Sequence, residues 1–534
     1  MRKFVELNKD QKILKVALDV PVNKLFDYIS NDSKIKIGQY VKVPFGNRSL
    51  IGICCEISNK TQIESNKLKT IIHIDSEVIF DTLMLKLLNF VSDYYHHPIG
   101  QTIMSVVPSR IKKNSPSSRK KELLFKANKK LTKEIIENFP KRQLRLKNIA
   151  NAILEENLRQ RDLKKLASNS AECIKKLEQL GLISSEVYIP KTINAKSIKP
   201  TLNKDQKNVI DCINQCKTFK PWLIHGVTAS GKTEIYINLI TKLLLDKPSQ
   251  VLMLIPEINL TPQLEARFQD RFYDKKIVIL HSYLSNLDRL DNWRDAKAGK
   301  ADIVIGTRLA VFTPMPNLKM IIIDEEHDAS FKQSEGLKYH ARDVAMIRAK
   351  NSNIPIVMGS ATPSLEIWYK AINAQQNFQY FKLNKRAVDD SRLPIIKTIQ
   401  VNEKTKLQIS KQVIDEIEKR IHKKEQTIIF VNRRGYSPVL ICSSCGWVAE
   451  CKRCSTRLVV HLQKKRLKCH HCGHEEKVNN SCFDCGNTDL FPLGTGTQKV
   501  EDILNYHFPT AKIVRVDRDT THSKKAIENL RSEE

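Results

Sequence analysis

PWLIHGVTASGKTEIYINLITKL, residues 221–243, changes character twice within a short span. An apolar run, WLIHG, ends on Gly226; Gly231, Lys232 and Thr233 follow, and apolar residues then recur at helical spacing. A strand that feeds a glycine-bounded loop and then a helix is a phosphate cradle. The loop must turn tightly and aim backbone N–H groups at an anion, which calls for glycine at its ends. Gly226, Val227, Thr228, Ala229, Ser230, Gly231, Lys232 and Thr233 are the candidate nucleotide-binding loop. Lys232 reaches the β- and γ-phosphates, and the Thr233 hydroxyl is placed for Mg²⁺.

On either side the same texture repeats. QVLMLIP (250–256), KIVIL (276–280), ADIVIG (301–306), KMIIID (319–324) and PIVMGS (355–360) are continuous apolar runs separated by helix-like segments. Strands buried on both faces read this way, so the expectation is a doubly wound, RecA-like parallel sheet. KMIIID presents Asp324, Glu325, Glu326 and His327 at its C-terminal end. In a P-loop site the aspartate holds Mg²⁺ and the next glutamate polarises the attacking water. Lys232, Asp324 and Glu325 are thus the catalytic candidates for ATP hydrolysis. LIPEINLTPQ, IVIGTRLAVFTP and MGSATPSLE each begin as a strand and end in a loop at the ligand-binding edge of such a sheet.

The chain has 534 residues, 41% of them hydrophobic, which is too long for one core and rich enough for several. Lys plus Arg number 89 against 58 Asp plus Glu, a net charge of +31. That excess favours a polyanion such as nucleic acid, because phosphate contacts release counterions. No apolar run approaches the roughly 18 residues of a membrane span, and MRKFVELNKDQKILK offers no signal-peptide core. The expectation is a cytoplasmic protein with no membrane partner.

Patterning divides the chain into 1–111, short alternating strands; 112–197, a basic linker followed by helix, turn, helix and strand; 198–390, the first motor lobe; 391–440, the start of a second; 441–486, a cysteine-rich module; and 487–534, the second lobe resumed. RDLKKLASNSAECIKKLEQLGLI within 112–197 reads as a winged helix or as a plain helical hairpin.

Of 13 cysteines, Cys54, Cys55, Cys173, Cys212 and Cys216 are scattered and are expected to be small buried hydrophobes. The others form four CxxC pairs: Cys442 with Cys445, Cys451 with Cys454, Cys469 with Cys472, and Cys482 with Cys485. Two such pairs close a tetrahedral, structural zinc site. TRLVVHLQKKRLK, between the middle pairs, is a hairpin that brings its ends together. The pairs could combine in three ways, and the hairpin favours a nested arrangement, with Cys451, Cys454, Cys469 and Cys472 inside and Cys442, Cys445, Cys482 and Cys485 outside, holding two Zn²⁺ per chain.

GVTASGKTEIY, LIPEINLTPQ, IVIGTRLAVFTP, DEEHDASFKQSEGLKYHARDVA, GSATPSLE, and FVNRRGYSP followed, after VLI, by CSSCGWVAECKRC resemble the PriA family of replication-restart superfamily 2 helicases. The likeness runs from about residue 12 to the end. It implies a multidomain α/β fold with an N-terminal domain that binds 3′ DNA ends, a winged helix, two motor lobes and a two-zinc, ribbon-like insertion. It also implies the nested cysteine pairing. Ser360, Ala361 and Thr362 match the family's coupling motif, and Arg308 lies where the lobe grips a single strand. Phe331 and Tyr339 fall in an aromatic-rich loop whose rings stack on bases. Gln206 resembles an adenine contact. In LFDYI (25–29), Phe26 and Asp27 match the pocket for a nascent 3′ end, with a plain core role as the alternative for Phe26. Ala229 stands where the family has a second glycine, and its methyl fits if φ is negative.

The resemblance further implies a longer second lobe, including an arginine that meets the γ-phosphate; no QxxGRxGR-like run occurs, so this lobe is expected to be truncated. Three readings compete. One is an ATP-driven 3′-to-5′ helicase that remodels stalled forks and reloads the replicative helicase. Another is a fork-binding primosome scaffold without helicase activity. The third is a gene remnant. The implied partners are forked and single-stranded DNA, Mg²⁺ with ATP, other primosome proteins and single-stranded DNA-binding protein, in a bacterial cytoplasm at the nucleoid.

Overall fold

The computed structural model describes residues 11–516, except 33, 62, 65–66, 113–122, 141–142, 160–161, 164–169, 188–199, 247, 257–261, 283, 388–393, 400–408, 432–438, 443, 455, 462–465, 470 and 494–496. The chain forms two compact units, divided between Ser391 and Arg392.

The first unit begins with a six-stranded sheet in the order Lys69–Thr70, Phe26–Ser30, Lys12–Leu18, Arg48–Ser58, Gln39–Phe45, His73–Val78. Its pairings are antiparallel except that of Phe26–Ser30 with Lys69–Thr70. The helix Thr82–Tyr94 follows, capped by the Asp81 side chain on Met84 N–H at 2.7 Å. Next come a separate small core around Phe125, Ile149 and Leu177, the helix Ser170–Gln179 and a three-stranded antiparallel sheet that includes Leu123–Ala127 and Ile183–Val187.

The motor lobe is a seven-stranded parallel sheet in the order Ile277–Leu280, Ile303–Gly306, Gln250–Leu254, Leu318–Asp324, Ile356–Ser360, Pro221–Gly226, Gln379–Leu383. Six of these are the apolar runs visible in the sequence. The edge strand Gln379–Leu383 is more polar, because one side of it meets solvent. The coupling strand Ile356–Ser360 lies between the P-loop strand and the acidic-motif strand, so the three motifs emerge side by side.

One apolar cluster joins the N-terminal domain to this lobe, with Phe80, Leu88 and Ile103 packed among the same buried residues as Leu252, Trp293 and Met358. Phe80 meets Trp293 edge-on at 6.4 Å, and Glu77 takes hydrogen bonds from Arg294 and Lys297, both at 2.8 Å. Cys54, Cys55 and Cys173 are buried as expected; Cys212 and Cys216 are half-exposed, a correction that follows from their place on and just after the outer helix Lys204–Asn214.

The second unit contains the helix Lys411–His422, an antiparallel five-stranded sheet of cysteine-bearing segments, and the helix Thr497–His507. FVNRRG was expected as a strand. Its described part, with 426–429 before it, has no regular structure, and Ile428 and Phe430 are exposed, since no described strand pairs with them. The rest of that motif lies outside the described residues, as does 257–261, the middle of LIPEINLTPQ.

Candidate functional site

The loop after Pro221–Gly226 folds back on itself. Ser230 N–H donates to Val227 O at 3.0 Å, Gly231 (φ +82°) starts the helix Lys232–Leu243, and Lys232 Nζ donates to Gly226 O at 3.0 Å. Ala229 has φ +63°, so the condition under which its methyl fits without strain, a negative φ, is not met. The loop must turn left-handed twice within three residues to aim its N–H groups inward, and Ala229 takes one of those positions. Ala387 N–H donates to Ala229 O at 2.8 Å, fixing the turn. Ser230 Oγ is buried yet has no hydrogen-bond partner among the described residues, as suits a hydroxyl facing a phosphate.

Gln206 is buried beside this loop. Its Nε2 donates to Ser230 O at 2.9 Å and its Oε1 accepts from Asn203 N–H at 2.9 Å, closing a capping box for the helix Lys204–Asn214. Here it braces the P-loop.

Across from Lys232 stand the acidic residues. Lys232 Nζ lies 3.7 Å from Glu325 Oε1, and Tyr236 donates its hydroxyl to Asp324 Oδ1 at 3.1 Å. Burial, and then the neighbouring Glu325, push the Asp324 carboxyl up to about 6 despite Tyr236 and Lys232. A carboxylate so disfavoured by its surroundings suits a divalent cation, which restores the charged form. His327 Nδ1 is 2.7 Å from Ser360 Oγ, which itself accepts from Thr362 N–H at 3.0 Å, so the coupling tripeptide touches the acidic motif directly.

Sequence reasoning passed over Glu326. It is fully buried and takes Ser364 N–H at 2.7 Å, the Ser364 hydroxyl at 2.9 Å and Arg342 Nη1 at 3.1 Å. Arg342 Nη1 also donates to Ser364 Oγ at 2.8 Å. This buried network ties together the acidic motif, the segment after the coupling motif and the helix Ala341–Asn351. A second acid directly after the presumed water-polarising residue was the available signal, since a buried carboxylate needs a cation.

The cysteine module gathers its thiols as two sets, Cys442, Cys445, Cys482 and Cys485, and Cys451, Cys454, Cys469 and Cys472, each with its sulfurs within 4.8 Å of one another. Cross-pair sulfur distances are 3.5 Å and 3.6 Å in the first set and 3.5 Å twice in the second. Four sulfurs about 2.3 Å from a zinc ion sit about 3.8 Å apart, so both sets fit. The hairpin is formed by Val459–His461 against Arg466–Lys468. Gly446, Gly473 and Gly486 follow three of the pairs with φ near +75°, and each donates its N–H to the first cysteine's carbonyl at 3.0 or 3.1 Å. CxxCG is therefore the fuller signature. The backbone N–H of Cys472 and the Thr456 hydroxyl draw Cys469 down to about 5, whereas burial and the facing thiols push Cys472 of the same set up to about 12.

The expected DNA contacts fare differently. Asp27 Oδ2 accepts from Thr61 Oγ1 at 2.5 Å, and Asp27 sits opposite Lys15 in the sheet. Phe26, half-buried, meets Phe45 edge-on at 5.4 Å, with Lys24 Nζ 5.1 Å from its ring centre. Arg308 Nη1 donates to Ser330 O at 3.2 Å, so it braces the aromatic-rich loop from within the lobe. Phe331 and Tyr339 lie inside the lobe: they are 0% and 3% exposed, and Tyr339 packs against Phe312 at 5.0 Å. Their rings complete the apolar core, so they offer no face to a base in this conformation.

Three family profiles match the chain: a 3′ DNA-binding domain over residues 15–108, a DEAD/DEAH box helicase over 193–368, and the Cys-rich region domain of PriA DNA helicase over 451–477. The replication restart protein PriA of Haemophilus influenzae is 36% identical over 535 residues, covering 97% of this chain and 72% of that protein. That of Chlamydia pneumoniae is 33% identical over 548 residues, covering 99% and 72%. That of Bacillus subtilis is 38% identical over 385 residues, and the match spans 70% of this chain and 47% of that protein.

Proposed function

The chain belongs to the PriA family of replication restart proteins, and on that premise we propose that it binds stalled or abandoned forks, remodels them by ATP-driven 3′-to-5′ unwinding and promotes primosome assembly to reload the replicative helicase. The observation that carries this reading is the adjacency of three strands in one sheet: P-loop, coupling motif and acidic motif. The DNA-binding domain shares a core with that sheet, which gives DNA a mechanical path to the nucleotide.

In this reading the P-loop amides, Ser230 Oγ and Lys232 hold the phosphates, Glu325 orients the attacking water, and Gln206 approaches the adenine. Asp324 and Thr233 would hold the magnesium that comes with ATP, an ion whose chemistry is to neutralise charge on the β- and γ-phosphate oxygens. Each cysteine set holds one structural zinc, two per chain. Phe26 and Asp27 receive the nascent 3′ end, Arg308 supports the strand-gripping edge, and Phe331 and Tyr339 seat the aromatic-rich loop that couples DNA to the nucleotide. Other primosome proteins and single-stranded DNA-binding protein are the expected partners, in the bacterial cytoplasm at the nucleoid.

The test uses the purified chain with forks that carry or lack a 3′ end at the branch. Hydrolysis should rise with forked DNA and vanish in Glu325→Gln, and labelled strands should separate. Asp27→Ala should erase the preference for the 3′-ended fork. Hydrolysis indifferent to DNA, or unaffected by Glu325→Gln, would overturn the reading.

A further inference from the structure

A surface helix turns its apolar stripe inward and its polar face to water. The helix Thr82–Tyr94 obeys the first half of that rule, burying Met84, Leu85, Leu87, Leu88 and Val91. Its outer face breaks the second half, with Leu83, Phe90 and Tyr94 exposed to 52%, 38% and 63%. Phe90 and Tyr94 lie four residues apart, one turn up the same face. Their rings already stack, with centroids 5.6 Å apart and planes 19° from parallel. Lys86, also exposed, stands one turn before Phe90.

Tyr94 then meets Tyr95 edge-on at 4.9 Å. Tyr95 is where this domain holds the aromatic-rich loop: its hydroxyl oxygen accepts from His340 N–H at 3.1 Å, and Lys332 Nζ lies 5.2 Å from its ring centre. A ridge of three aromatic rings, with a lysine towards each end, thus runs from solvent to the loop next to the acidic motif. Asp93 on the same helix and Asp343 on the helix Ala341–Asn351 are the acidic groups nearby.

We propose that the stacked Phe90–Tyr94 pair is a landing surface for unstacked bases of single-stranded DNA, separate from the Phe26–Asp27 pocket. This rests on the reading of the chain as a DNA-binding protein. Duplex bases already use both faces and present only edges, whereas single-stranded bases offer a free π-face to any exposed ring. The flanking lysines and the net charge of +31 suit the phosphates between those bases. The helix is seated in the core shared with the motor lobe, so the rings are held in place before DNA arrives. Base stacking was expected of Phe331 and Tyr339, which are buried; Phe90 and Tyr94 are the stacked, exposed pair next to that loop.

The experiment is fluorescence anisotropy of a labelled oligothymidylate with a blocked 3′ end, so that the Asp27 pocket contributes nothing. Phe90→Ala and Tyr94→Ala, made in the full chain, should each weaken binding about tenfold, as expected when one base loses its stack. Tyr94→Trp should retain or improve it. Melting temperatures and the fork preference set by Asp27 should not change, because both rings are at the surface. Wild-type protein that binds the oligomer, with alanine variants that bind equally, would overturn this inference and leave the functional reading intact. Unchanged DNA affinity with altered self-association would assign the face to a protein contact and overturn it too. Wild-type protein with no affinity for single-stranded DNA would instead remove the functional reading on which the inference rests.

Discussion

Replacing Ala229 by glycine should stabilise this protein, although Ala→Gly ordinarily does the opposite. Ala229 is exposed and held at φ +63° by the turn of the P-loop. An L-residue with a Cβ carries about 1–2 kcal/mol of steric strain in the left-handed region, which glycine does not. Against this, glycine gives the unfolded chain extra freedom worth about 0.4–1 kcal/mol. The exposed methyl contributes no packing, so the net gain is about 0.5–1 kcal/mol. For a lobe of this size that is a rise of about 1–4 °C in Tm, readable by calorimetry without nucleotide. Gly231→Ala is the control with the opposite sign. There φ is +82°, and the added Cβ would lie 2.3 Å from Gln206 Nε2, which donates to Ser230 O. Strain plus loss of that hydrogen bond should cost about 2 kcal/mol or more. A lower Tm in Ala229→Gly would refute the reasoning, since it would mean that the methyl makes a contact or that the backbone is not left-handed.

Elemental analysis of the purified chain should return two zinc ions, and Cys451→Ser should return one with loss of the inner ribbon's structure, because metal binding there is folding energy. Arg342→Ala strands the buried Glu326 carboxylate and should lower stability to urea by about 3–5 kcal/mol, whereas Arg342→Ala with Glu326→Ala should lose much less than the sum; additive losses would show that the two do not interact. Asp324, held at about 6, is raised above its ordinary value, so its contribution to metal-free stability is full below about pH 4 and fades as pH rises through 6. Divalent cation should reverse that loss, and Mg²⁺-dependent ATP affinity should weaken as pH falls below 6.

The motor lobe was legible in the chain because its signals are local. A glycine-bounded loop between strand and helix, an acidic pair after a buried run, and CxxC pairs around a hairpin each place chemistry within a few residues of itself. Continuous apolar runs likewise announce strands covered on both faces, and six of the seven were visible. Other features depend on what comes to lie opposite a residue, and no local pattern encodes that. Phe331 and Tyr339 read as exposed rings in a polar loop, but the N-terminal domain and the lobe close over that loop and bury them. Glu326 read as one more acid in a row until Arg342 and Ser364, distant in the chain, arrived beside it. The sign of φ at Ala229 follows from the closure of the whole loop, anchored from Ala387. Phe90 and Tyr94 belong to a helix whose sequence reads as ordinary. Which of its faces meets water is settled by the core it shares with the motor, because burial is a property of the assembled surface and not of the residue.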